Sequence, residues 1–170
     1  QPHTIVKQPV HLRHTCQQAL ACYNKSIGEK ENNMSPDELN KLMADCAKDA
    51  ALRAADDLHI VLDHRPASVA LVDDILLSFV DKYHDLALED EAVFTICNIF
   101  GAYVGEILKA QLDGEWIYDQ SNPKAPAVFL QVGENTYALA GICYERLVND
   151  SQISVFAYYE QALGNHLRSH

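Results

Sequence analysis

The chain has 170 residues, which suits one hydrophobic core, and 48% of them are apolar while 22% are charged. This is ordinary globular usage, which excludes a disordered or collagen-like chain and predicts a single domain over residues 1–170. The formal net charge of −11 disfavours binding to nucleic acid or to an anionic membrane surface, because the lysines and arginines are scattered rather than gathered in a patch.

The N-terminal part of the chain predicts a pair of helices over residues 10–55. The first, at 10–27, has apolar residues at helical intervals and ends before Gly28, a natural C-terminal residue. The second begins at Ser35, where serine can cap free N–H groups, Pro36 suits the first helical position and Glu38 can reach back to the cap. Its apolar stripe continues to about Ala55.

Residues 57–163 predict an α+β core. Alternating apolar and β-branched residues favour a strand at 58–63. Ser68 is expected to cap the following helix, whose apolar residues keep a three-four spacing from Val69 to Tyr83. The most apolar helix, at about 91–112, has an apolar run too short for the roughly 20 residues that a membrane span needs, so we expect it to be buried.

Two strands, at 115–119 and 127–132, flank a turn-rich loop and are expected to pair as a hairpin. Two further helices, at 137–148 and 152–163, complete the chain. The predicted fold class is therefore a mainly helical α+β domain with a small antiparallel sheet, built from strands near 58–63, 115–119 and 127–132.

The cysteines, at positions 16, 22, 46, 97 and 143, include no C-x-x-C pair. An odd number of cysteines in a chain of this size argues against a secreted disulfide framework, so we expect reduced thiols in a soluble, cytoplasmic protein. The apolar neighbours of Cys97 predict burial and an inert thiol rather than a nucleophile.

Common motifs for catalysis and cofactor binding are missing, including G-x-S-x-G, G-x-x-x-x-G-K-[ST], H-E-x-x-H and G-x-G-x-x-G. On a strand, His59 and Asp63 would share one face, but two ligands are too few for a metal site. Asp73 and Asp74 lie in an amphipathic helix, where exposure to solvent is favoured over acid–base catalysis. We therefore predict no cofactor and no metal, and the missing motifs disfavour an enzyme without excluding one.

The segment at 101–106, G-A-Y-V-G-E, stands out. Each glycine inside a helix costs about 1 kcal/mol relative to alanine, which indicates that another backbone or a ligand comes close. Close packing is the favoured interpretation. The candidate residues of a pocket or interface around this segment are Asp63, Tyr103, Glu106 and Trp116.

Four segments resemble an uncharacterised bacterial domain family of unassigned activity: L-D at 62–63, S-V-x-x-V-D-x-I-L at 68–76, G-A-Y-V-G-E at 101–106 and G-x-W at 114–116. The resemblance covers roughly residues 57–148. It implies a small cytoplasmic bacterial protein of the kind encoded near toxin or secretion genes. It brings no catalytic residues.

Two classes of function follow. The favoured one is a non-catalytic intracellular binding protein, of the immunity or adaptor type, whose acidic surface masks a more basic protein partner. The alternative is a small-molecule-binding or hydrolytic enzyme with a pocket near Tyr103, Glu106 and Trp116. A deep pocket with convergent polar groups would favour the second class, whereas a flat acidic face with a paired Glu106 would favour the first.

Overall fold

The structure, a computed structural model, describes residues 35–84, 90–119 and 127–167. Its helices and strands in chain order are α1 (Pro36–Leu58), a 3₁₀ turn (Pro66–Ser68), α2 (Val69–His84), α3 (Asp90–Leu112), β1 (Glu115–Asp119), β2 (Ala127–Val132), β3 (Asn135–Tyr137), α4 (Leu139–Tyr144), a π-helical segment (Glu145–Asn149) and α5 (Val155–Leu167). The predicted fold class is confirmed. The helix predicted at 10–27 lies outside the described residues.

Helix α1 begins at the predicted cap. The N–H of Glu38 donates to Ser35 Oγ over 3.1 Å, and the N–H of Ser35 donates to Glu38 Oε1 over 2.9 Å. These two bonds use N–H groups that would otherwise lack partners in the first turn. The helix ends three residues later than predicted, at Leu58, because His59 adopts a left-handed conformation with φ 57°.

The strand predicted at 58–63 is wrong. Leu58 belongs to α1, and the described residues 59–63 pair with no strand. The N–H groups of His59 and Ile60 donate instead to carbonyls in the last turn of α1. The N–H of the next residue but three, His64, donates to the hydroxyl of Tyr103. The alternating apolar pattern reflects the burial of an extended connection, in which Leu62 is buried while Val61 is 76% exposed.

The sheet has three antiparallel strands in the order β1-β2-β3. The predicted hairpin of β1 and β2 is confirmed, with Trp116 opposite Leu130. The third strand, β3, pairs with the other edge of β2, where Tyr137 is the partner of Leu130. The sequence interpretation that started a helix at Tyr137 is therefore wrong, because this residue completes a short hairpin through the left-handed Gly133. All three aligned side chains are buried and form one row of the core.

Helix α3 lies at the centre of the described structure and packs chiefly against α1 and α4. It is also long and apolar enough to cross a membrane by length and composition, but 72% of its most apolar window is buried inside the protein, as in a core helix. Burial of Cys97 is confirmed, and Cys46 and Cys143 are buried as well. Helix α3 ends where predicted, since Asp113 is left-handed and the N–H of Gly114 bonds to the carbonyl of Lys109.

The last helices differ from prediction in their bounds. The helix predicted at 137–148 is the short α4 followed by the π-helical segment, and α5 begins at Val155 and continues to Leu167. His166 lies near the end of α5. Ser68 belongs to the 3₁₀ turn and its side chain bonds to Tyr103, so it is not the helix cap that the sequence predicted.

Candidate functional site

The glycine face of α3, formed by Gly101 and Gly105, is closed by close packing. A Cβ atom at Gly101 would lie 2.6 Å from the backbone nitrogen of Ala140, at the start of α4. A Cβ atom at Gly105 would lie 2.6 Å from Cζ2 of Trp116 and closer still to Cη2. The predicted close packing is confirmed. The neighbour is a backbone at Gly101 but an indole ring at Gly105.

Trp116 is held over Gly105 by a hydrogen bond. Its Nε1–H donates to Glu106 Oε2 over 2.7 Å, which joins β1 to α3. The indole is only 4% exposed, and Glu106 is half-buried. A hydrogen bond to a charged acceptor is stronger than one between neutral groups, so this bond fixes the ring in its place. The Glu106 carboxylate is thus paired within the fold.

Tyr103 is fully buried at 0% exposure and connects α3 to the segment before α2. Its hydroxyl accepts the N–H of His64 over 2.8 Å and lies 2.7 Å from Ser68 Oγ. The single hydroxyl proton of Ser68 goes to the carbonyl of Arg65, so the proton between the two hydroxyls comes from Tyr103. Burial raises the pKa of the Tyr103 hydroxyl, with a smaller contribution from the charge of Asp63, and this keeps the donating proton in place.

Asp63 is exposed and accepts the N–H of Arg65 over 3.0 Å, which makes a local turn. The four candidate residues therefore form two pairs. Asp63 lies near Tyr103 beside the connection between α1 and α2, while Glu106 and Trp116 meet over Gly105. Tyr103 bonds to Ser68, whereas Glu106 bonds to the indole, and the cavity beside Trp116 is lined by neither of them nor by Asp63. The structure does not bring the four residues together into one pocket.

A small cavity of about 20 Å³ lies between Gly101 and Trp116, with Asn98, Cys46 and Leu139 among its lining residues. Sites for small-molecule ligands usually have volumes of about 300–1,000 Å³. This cavity is therefore far too small for a metabolite. It does not provide the deep pocket that the hydrolytic alternative requires.

Asp73 has a role that the sequence did not reveal. Its carboxylate accepts the N–H groups of Val155 (2.7 Å) and Phe156 (3.0 Å), which are free donors at the start of α5, and the hydroxyl of Ser154 (2.9 Å). Arg146 Nε lies 3.3 Å from Oδ1, and the two side chains are 10% and 14% exposed for Arg146 and Asp73. The predicted exposure is wrong for Asp73, because α2 places it against α5.

Asp74, its neighbour, is exposed as predicted. Local sequence does not indicate that Asp73 is buried and Asp74 exposed. Outside its own helix, the partners of Asp73 come from residues more than seventy positions later. The role of Asp73 could have been predicted only by knowing that α5 begins beside it.

Histidines of the described part are not arranged as metal ligands. Among residues 35–84, 90–119 and 127–167, no group of three or more His, Cys, Asp or Glu side chains lies close enough to hold a metal ion. His59 and Asp63 are both exposed. His166 Nε2 lies 2.8 Å from the hydroxyl of Tyr137, which ties α5 to β3.

No family model matches the chain, and neither does any curated protein or solved structure. The resemblance to an uncharacterised bacterial family therefore stays a prediction from the four short segments that carry it.

Proposed function

We propose that the chain is a non-catalytic binding protein, of the immunity or adaptor type, that recognises a more basic protein partner through its acidic surface. One observation carries the proposal: the part-buried carboxylates Asp73 and Glu106 hold the fold together, while other described carboxylates, such as Asp74 and Glu115, are exposed. The chain has 24 acidic and 13 basic residues, and this excess attracts cationic surfaces.

Exposed carboxylates occur on separate parts of the described surface. One set lies at the end of the sheet where β1 begins and β2 turns into β3, because Glu115 pairs with Gln131 next to that turn; it comprises Asp113, Glu115 and Glu134. Another set, on α2 and α5, comprises Asp74, Asp81 and Glu160. Two of the cations, Lys41 and Arg53, already face Asp45 and Asp57 one turn away on α1, so they do little to balance these sets.

The alternative, a small-molecule-binding or hydrolytic enzyme, has less support. It needs a pocket near Tyr103, Glu106 and Trp116. In the described residues the indole covers Gly105, and the Tyr103 hydroxyl is taken up by two partners.

The experiment is a pull-down from native lysate with the chain as bait, in low salt and again in about 0.5 M salt, at which screening acts within a few Å. We expect a stoichiometric basic protein that is lost at high salt. Recovery of no stoichiometric partner, or of acidic partners only, would contradict the proposal.

Matched baits test whether charge carries the recognition. One bait is Asp113→Asn, Glu115→Gln and Glu134→Gln; the other is Asp74→Asn, Asp81→Asn and Glu160→Gln. Both lose three negative charges at exposed positions, so a difference between them locates the binding face. Full retention of the partner by both baits would show that the acidic surface does not recognise it.

A further inference from the structure

Asn98 is a buried amide that the fold does not satisfy. It lies on α3 one turn before Gly101 and is 9% exposed. Its Nδ2 atom is buried and has no hydrogen-bond partner among the described residues. Leaving a buried donor unpaired costs free energy, and buried polar groups in native proteins nearly always have a protein or water partner.

The cavity beside Gly101 supplies the space for that partner. Asn98 is one of its lining residues, together with Met43 and Cys46 of α1 and Trp116 of β1. One water molecule needs a cavity of at least about 10–15 Å³. The volume of about 20 Å³ is therefore large enough to hold a water molecule.

The walls provide a polar amide and a weak acceptor. Asn98 brings its amide nitrogen, and the sulfur atom of Met43 is a weak acceptor. The remaining wall is apolar, with Ala102 and Leu139 among its residues. The polar amide distinguishes this cavity from cavities lined only by apolar groups, which stay dry.

We propose that this cavity is a binding site for one water molecule, whose oxygen accepts a hydrogen bond from Asn98 Nδ2. The water lies where α1, α3, α4 and the hairpin meet, next to the close contact of Gly101 with Ala140. It gives Asn98 Nδ2 on the central helix the partner that the described side chains do not supply.

The experiment detects the water directly in the full chain labelled with ¹⁵N. Cross-relaxation is measured between bulk-water protons and the side-chain NH₂ of Asn98, which is assigned by its disappearance in Asn98→Asp. We expect a cross-peak with the sign of a long-lived contact. Absence of this cross-peak in the parent protein overturns the proposal.

Two variants locate the water. Cys46→Ala removes a thiol proton that could relay exchange, and the cross-peak should persist. Ala102→Val adds two methyl groups to the cavity wall, and the cross-peak should vanish while the backbone amide spectrum stays folded. A cross-peak that is lost in Cys46→Ala, or that survives in a folded Ala102→Val, shows that no water occupies this cavity and overturns the assignment.

Discussion

The free N–H groups at the N-termini of α1 and α5 have different kinds of acceptor. In α1 the free N–H groups are capped by Ser35 and Glu38, which are neighbours in sequence and exposed. In α5 Ser154 caps the N–H of Ala157 locally, but the N–H groups of Val155 and Phe156 are taken by Asp73 from another helix. The comparison teaches that a local cap can be read from sequence, whereas a cap supplied by tertiary packing cannot.

The two caps should also differ in energy. The α1 cap is surrounded by solvent, so water replaces a lost bond at low cost. Asp73 is mostly buried beside Arg146, and its removal leaves both helix donors without their acceptor and Arg146 without its carboxylate partner. The buried cap should therefore be the more costly of the two to break.

The largest expected effect is that of Asp73→Ala. Breaking a buried ion pair by removing one partner costs about 3–5 kcal/mol, and because Arg146 keeps backbone acceptors at Ser151 and Ile153 we expect the lower end, about 3 kcal/mol. Urea denaturation of the variant and its parent measures this difference. Asp74→Ala is the matched control, since its side chain is exposed, and it should change the free energy of unfolding by less than about 0.5 kcal/mol. Equal losses in the two variants would contradict the assigned role of Asp73.

The next effect is a loss of stability at alkaline pH, caused by a buried tyrosine hydroxyl on α5. The hydroxyl of Tyr158, on α5, accepts the N–H of Ala138 over 3.2 Å, and burial raises its pKa above the usual value of about 10. The unfolded chain releases this proton near pH 10 while the folded chain keeps it. The stabilisation is therefore complete below pH 10 and is lost as the pH rises, by about 1.4 kcal/mol at pH 11.

Denaturation at pH 9, 10 and 11 measures this dependence in the parent and in Tyr158→Phe. The variant should start from a lower stability, because the Ala138 N–H loses its acceptor, but its free energy of unfolding should fall less steeply between pH 10 and pH 11. Parallel pH profiles for the two proteins would show that Tyr158 does not stay protonated in the fold.

The smallest effect is expected at the local cap. Ser35→Ala should lower the free energy of unfolding by about 1 kcal/mol, because the first turn of α1 loses its side-chain acceptor. Ser78→Ala, at an exposed position inside α2, is the control and should change it by less than about 0.5 kcal/mol. Equal denaturation midpoints for Ser35→Ala and the parent would mean that α1 gains nothing from this cap.

The same contrast between local and distant signals explains what the sequence could predict. The start of α1, the buried face of α3 and the β1–β2 hairpin follow from residues within a few positions of one another, and all were predicted. The segment after Leu58 was not, because its strand-like alternation also suits an extended connection and only the left-handed His59 and the distant Tyr103 decide between them.

The candidate site shows the same limit. The closeness of another group to Gly101 and Gly105 could be predicted, since a glycine in a helix interior needs a reason. That the groups are Ala140 and Trp116, and that Tyr103 faces away from Trp116 toward Ser68, depends on how β1 and α4 pack on α3. Sequence spacing carries no information about that packing.

The central claim is that the glycine face of α3 is filled by packing against Ala140 and Trp116. The most direct test is the thermal midpoint of Gly105→Leu, compared with Ala110→Leu, which adds a leucine at an exposed position of the same helix. Because a side chain at Gly105 must displace the indole of Trp116, we expect a loss at the upper end of the 1–3 kcal/mol that overpacking typically costs, seen as a clear drop in midpoint. A midpoint that is unchanged or raised in Gly105→Leu would contradict the claim, because it would show open space at this face of α3.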